Sequence, residues 1–132
     1  MQIYISEEAI VGDIQDRFHT MYPYLKLAFF RKPHIKGAYS PEEDKIAPDT
    51  PIEKVRMRNS FGWLDISYYR TAAAVEHDFS YLFGLHAQIL RKAGTRWLET
   101  TATNNWTLEA LNDAGRPTKQ STFSLPEESD DE

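Results

Sequence analysis

No cysteine occurs in the 132 residues. That absence excludes a disulfide framework, thiolate metal sites, cysteine nucleophiles and iron–sulfur clusters together. Glycine is also sparse, with six in the chain. They are scattered, and neither GxGxxG nor GxxxxGK[ST] occurs, so nothing supports a phosphate-cradling loop. The histidines, His19, His34, His77 and His86, lack HxxxH or HExxH spacing, and the expectation is no metal and no cofactor. Long apolar runs are missing too. The most apolar stretch, YLKLAFF, falls far short of the roughly 20 residues that span a bilayer. The opening MQIYISEEAIVGD shows no basic segment followed by an apolar run, so no signal peptide is expected. A soluble, cytoplasmic protein without a membrane partner is the working expectation.

Charge is unevenly placed. The chain carries 15 basic and 20 acidic residues, a net charge of −5. The closing EESDDE holds five of the acids and no base, so the preceding body is balanced. A tail of that composition cannot bury enough apolar surface to offset its ordering entropy. Residues 118–132 therefore read as a C-terminal extension with a disordered acidic tail. Residues 1–117 read as a single domain, long enough to bury a core without metals or disulfides.

Periodicity gives the elements. Residues 2–6 alternate as a strand, and Ile10, Ile14, Phe18 and Met21 then recur at helical spacing until Pro23 ends the helix. Residues 25–31 form a second strand. The segment 33–60 reads as an ordered insertion with two helix-start signals, Ser40-Pro41-Glu42-Glu43 and Thr50-Pro51-Ile52-Glu53, each placing a cap, a proline and a glutamate in order. A third strand covers 61–69. In the helix that follows, Val75, Phe79 and Leu82 share a face, and Gly84 supplies the stop. Residues 85–92 and 96–101 form a hairpin through Ala93-Gly94. Thr107 caps a short last helix that Gly115 closes.

A shift of 61 positions lays IYIS over LDIS, Ile14 over Val75 and Phe18 over Phe79. Strand, helix and strand thus follow one another twice. The predicted fold is α+β, a ferredoxin-like duplicated β-α-β with an additional C-terminal hairpin strand and short helix. A β-grasp-like or other mixed α/β sheet is the alternative.

Candidate chemistry is thin. Glu76-His77-Asp78 reads as a solvated helix face, and His86 as a structural imidazole. Asp65 and Glu99 each follow a tryptophan by two residues, where an apolar setting could raise a carboxyl pKa. Both are read as facing solvent. No nucleophile–base pair is visible, no catalytic residue is assigned, and the expectation leans away from an enzyme. Trp97 and Trp106 read first as core anchors. As an alternative they wall a small-molecule pocket, with Asn104 supplying hydrogen bonds.

The sharper hint is a surface. By alternation Tyr4, Phe61 and Trp63 share the face opposite Ile3, Ile5, Leu64 and Ile66. The run NSFGWLDI resembles the longer motif of RNA-recognition-motif domains through Phe61, Gly62, Trp63 and Leu64. IYIS resembles the shorter one through Ile3, Tyr4 and Ile5. This resemblance implies base stacking on the aromatics. Asn59-Ser60 replaces the basic residue and glycine that open the longer motif, and Ile66 replaces its final aromatic. With a balanced body, phosphate attraction is also lacking. The leading expectation is a non-enzymatic binding module that uses an aromatic sheet face of Tyr4, Phe61, Trp63 and Trp97 for a protein partner or homodimer. Single-stranded nucleic-acid binding on the same residues is the alternative, followed by a small-molecule or enzymatic pocket near Trp97 and Trp106.

Overall fold

The computed structural model describes residues 1–33, 42–55 and 61–117. Their order is β1 (Gln2–Ile5), α1 (Val11–Met21), β2 (Leu25–Phe30), β3 (Gly62–Asp65), α2 (Ala72–Phe83), β4 (His86–Ala93), β5 (Arg96–Glu99) and α3 (Leu108–Gly115). Single 3-10 turns lie at Glu42–Asp44 and Ile52–Lys54. The Ser40-Pro41 start, the motif residues Asn59 and Ser60 and the tail fall outside the described residues.

The fold is mixed α+β, with two antiparallel sheets in place of the single sheet expected. Among the described residues β1 pairs only with β3, whereas β2, β4 and β5 form a three-stranded sheet in that order. Ile3 lies opposite Leu64, and Leu27 opposite Ile89. The first strand thus pairs with the third, and the second with the fourth. Alternation fixes which face of a strand is buried but leaves its partner open. One core joins both sheets. It takes Ile3, Ile5, Leu64 and Ile66 from the ribbon, Leu25, Leu27, Phe29 and Ile89 from the sheet, and Phe18, Phe79 and Leu111 from the helices.

The helical stripes are shifted slightly from expectation. In α1 the buried residues are Val11, Ile14 and Phe18, while Ile10 and Met21 are exposed. Ile10 stands outside the helix in extended backbone, so it is not part of the stripe. In α2 the buried set is Ala72, Val75, Phe79 and Phe83, and Leu82 lies on the solvent side. Gly84 ends α2 with φ 66° and ψ 32°, a left-handed conformation that a side chain strains.

The first turn of each long helix is tied down in the same way. Val11 and Gly12 donate to the carbonyls of Thr50 and Pro48, and Ile10 bridges to Pro51. Ala72 and Ala73 donate to the carbonyls of Trp106 and Asn104, and Thr71 bridges to Thr107. Immediately afterwards Ile52 donates to Ala9, and Leu108 to Arg70. Backbone donors that have no partner inside a helix are satisfied here by a passing chain. The segments TPIE and WTLE (residues 50–53 and 106–109) serve one geometric purpose in the two halves. Thr107 also takes the capping role expected of it, accepting from Ala110 N at 3.1 Å.

The outer edge of β2 is covered rather than left open. Its carbonyls at Leu25, Leu27 and Phe29 are met by His19 Nδ1, by the Gln15 amide and by Ile46 N–H. Covering an edge in this way blocks further strand pairing. The opposite sheet face carries a second, small cluster of Ala28, Phe30 and Leu90, with Trp97 against it. Gln88 falls on this face and is only 1% exposed. Neither of its amide atoms has a hydrogen-bond partner among the described residues. An unmet buried amide is costly. Gln88→Met, of similar shape, is therefore expected to raise the denaturant midpoint by the equivalent of about 1–2 kcal/mol; an unchanged or lower midpoint would mean the amide is satisfied in solution. Among the described residues no helix is long and apolar enough to cross a membrane.

Candidate functional site

The six residues singled out from sequence fall in three places. Tyr4 and Trp63 face each other across the β1–β3 ladder, with Phe61 two residues from Trp63 and just before β3. Arg17 donates to the Tyr4 carbonyl at 3.4 Å, which places that carbonyl on the outer edge of the ribbon. The Tyr4–Trp63 pair is then a non-hydrogen-bonded one, in which side chains approach closely. Their rings meet edge-to-face with centroids 5.1 Å apart. Tyr4 is 40% exposed and Trp63 60%. Beside them a groove of about 330 Å³ is lined by Ile3, Tyr4, Trp63, Met21, Asp16 and Arg17, among others.

Trp97 lies elsewhere, half-buried on the second face of the large sheet. Lys26 Nζ sits 4.8 Å from its ring centroid and the His19 ring 5.9 Å away, edge-on. Together with Gln15, Asp16, Lys45 and Pro48 they border a cavity of about 380 Å³. The Lys26 ammonium is held below its ordinary pKa by burial first and by the nearby Lys45 charge second, with Glu42 opposing in part.

Trp106 and Asn104 act through their backbone. Their carbonyls receive the first amides of α2, and the Trp106 ring remains 45% exposed instead of anchoring the core. The loop between two tryptophans is thus a clamp on a helix end. Asn104 also borders a third cavity, about 250 Å³, with Glu76, His77, Ser80 and His86.

Glu76 corrects the reading of a solvated face. Its carboxylate accepts from Ile89 N at 2.8 Å and is largely shielded from water. Burial, reinforced by the charge of Glu99 and opposed by the Ile89 bond, pushes its pKa up from 4.5 to about 7. Asp78 from the same triplet pairs with Arg70 at 2.6 Å, leaving His77 to stack on Tyr81. Of the two carboxylates flagged from sequence, Asp65 has a lowered pKa, first because the Ser67 hydroxyl donates to it. The signal for Glu76 was present in its spacing. It stands one turn after Ala72 and three residues before Phe79, inside the apolar stripe.

Burial lowers the pKa of His86. Glu76, His77 and His86 bring carboxylate and imidazole to one cleft, yet no hydroxyl is hydrogen-bonded to any of them in the bonds described, as a nucleophile–base pair would need. Among the described residues no group of three His, Asp or Glu side chains could hold a metal ion. No protein-family model matches the chain, and no curated protein or solved structure matches it either.

Proposed function

We propose that the chain is a non-enzymatic interaction module whose contact anchor is the Tyr4–Trp63 pair, extended by Phe61. The observation that carries this reading is the exposure of two large rings already fixed against each other. Rigid aromatics bring large contact area at low entropic cost, and they dominate binding energy where they are buried on association. A clustered apolar patch on a sheet face is the usual mark of such a surface.

The partner that the chemistry favours is a second copy of the chain. A two-fold contact places one patch on itself, so the patch must be self-complementary. The groove meets that condition. Its centre is Ile3, Tyr4, Met21 and Trp63, and its rim carries Asp16 beside Arg17. An antiparallel copy sets each arginine near the other's aspartate. The same balanced rim offers little to a phosphate backbone, which needs an excess of cations. Nucleic acid is for that reason the lesser reading of this face.

Light scattering coupled to size exclusion tests the proposal. The parent is expected at twice the monomer mass and Trp63→Ala at the monomer mass, with a weakening of association of at least about 30-fold, corresponding to 2 kcal/mol for an anchor residue. Folding of the variant should be unaffected, because Trp63 contributes no side chain to the core. A parent that stays monomeric at millimolar concentration sinks the dimer. The recurring β-α-β order and the matched helix clamps further support reading the body as two copies of one unit, related by an approximate two-fold axis between Ile3 and Leu64 and between Leu27 and Ile89.

A further inference from the structure

We propose that the cavity between α1 and the second face of the large sheet binds a small organic anion bearing a flat ring, an aromatic carboxylate or an aryl phosphate. Its charged end would lie between the ammonium groups of Lys26 and Lys45, and its ring against Trp97. This site is independent of the Tyr4–Trp63 surface. Asp16 borders both cavities, so α1 stands between them.

The size fits first. A volume of about 380 Å³ lies within the range of pockets that hold small ligands. Charge is the second observation. Lys26 and Lys45 border the same cavity, where the Lys45 charge adds to burial in holding the Lys26 ammonium below its ordinary pKa. Like charges brought together in a partly dry cleft are unfavourable unless an anion joins them. Internal compensation is incomplete. Glu42 pairs with Lys45 at 3.6 Å, but that carboxylate side chain is 88% exposed, where such a pair contributes little. Among the described residues Lys26 has no ion pair; its ammonium lies over Trp97 instead. Asp16 is the one carboxylate bordering the cavity among the described residues.

A comparison inside the molecule supplies the third observation. Gln15 reaches across to the Leu27 carbonyl, and Glu76 in the second half reaches across to the Ile89 amide. Leu27 and Ile89 are themselves paired in the ladder. Helix and strand are therefore fastened alike in both halves. Asp16 and His19 border the first cavity where His77 and Ser80 border the second, and Pro48 stands behind one helix start as Asn104 does behind the other. Among its described lining residues the second cavity carries a carboxylate and two imidazoles and no lysine. The two lysines of the first cavity thus have no counterpart among the described lining residues of the second.

Trp97 sets the ligand class. It borders the cavity and already receives a cation at its face and the His19 edge. A flat ring bearing an anionic group can stack there while its charge neutralises Lys26. His19 is positioned by its Nδ1 bond to the Leu25 carbonyl at 2.8 Å, which makes Nδ1 the protonated nitrogen.

The test is a nitrogen-15 NMR titration of the full chain at low ionic strength, with phenyl phosphate, inorganic phosphate and benzyl alcohol as probes. Phenyl phosphate is expected to shift the Trp97 indole resonance with a millimolar or tighter Kd, while the Trp63 indole stays in place. Inorganic phosphate, lacking the ring, should bind about 10-fold more weakly, and benzyl alcohol should not bind. Lys26→Met and Lys45→Met should each weaken phenyl phosphate by about 10-fold, the loss of one charge-assisted contact. Lys45 is exposed just after the Glu42–Asp44 turn, so that variant reports on binding even if Lys26→Met were to unfold. The proposal is overturned by an unmoved Trp97 indole at about 10 mM phenyl phosphate, by undiminished affinity in Lys45→Met, or by benzyl alcohol binding as tightly as phenyl phosphate.

Discussion

Glu76→Gln is expected to be more stable than the parent by about 3 kcal/mol at pH 8 and equal to it near pH 4.5. The carboxyl pKa stands at about 7 in the folded chain against 4.5 ordinarily. The folded state therefore holds this proton more tightly than the unfolded state does. Stability from this group is fully present below about pH 4.5 and is lost as pH rises through about 7. Glutamine keeps an oxygen that can accept from the Ile89 amide, and it carries no charge to bury. Other groups titrate in the same range. His86 has a lowered pKa and so acts with the opposite slope, gaining stability as pH rises, and His77 and Glu99 stand near the carboxylate. The difference between the variant and parent curves removes these shared contributions. Thermal midpoints from pH 4.5 to 8 should diverge upward across the window; parallel curves would show that Glu76 is solvated and ionised throughout.

The same residue shows where reading the sequence succeeds and where it stops. Strand and helix existence followed from local periodicity, because an inward face must repeat every second or every third to fourth residue. The caps and stops at Thr107 and Gly84 were also legible, since they rest on one side chain or one backbone angle. Errors came one residue out. Leu82 looked like the next member of the Val75–Phe79 stripe, but the helix rotates Phe83 inward instead. Of the strand pairings, the β4–β5 hairpin was legible from its Ala93-Gly94 turn, but the pairing of strands distant in sequence was not. Nothing local in β2 says whether its partner is β3 or β4, because that choice depends on how two distant helices pack.

Site residues divide along the same line. The shared face of Tyr4 and Trp63 is a period-two property, and the ladder sets them opposite each other. The cavity at Trp97 needed tertiary contacts, since Lys26, Lys45 and His19 come from three elements. Asn104 and Trp106 were noticed for their side chains, whereas their carbonyls hold α2. Backbone roles leave almost no trace in residue type. The threonine and proline of residues 50–51 and the tryptophan and threonine of residues 106–107 perform one task with little sequence in common.

Phe79→Ala should be the most damaging single truncation in the core, at about 3–5 kcal/mol. Phe79 is fully buried, and its ring meets Phe29 edge-to-face with centroids 5.4 Å apart and planes at 82°. The pair ties α2 to β2 across the core, so removing one ring leaves a void bordered by a helix and a sheet, neither of which can easily collapse into it. It also removes the aromatic contact itself, worth about 1 kcal/mol beyond area. A domain of this size typically has about 5–15 kcal/mol in total, so the loss corresponds to a fall of roughly 10–20 °C in Tm. Two comparisons separate ring, volume and position. Phe79→Leu retains most of the volume and should cost about 1–2 kcal/mol. Leu82→Ala, one turn away but 40% exposed, should cost less than about 1 kcal/mol. Equal losses at positions 79 and 82 in a denaturant titration would mean that α2 is rotated from the face described, and that the apolar stripe runs through Leu82 after all. A small loss at Phe79 alone would mean that the Phe29 contact is not formed in solution. The ordering Phe79→Ala, Phe79→Leu, Leu82→Ala is what one core shared by the ribbon, the sheet and both long helices requires.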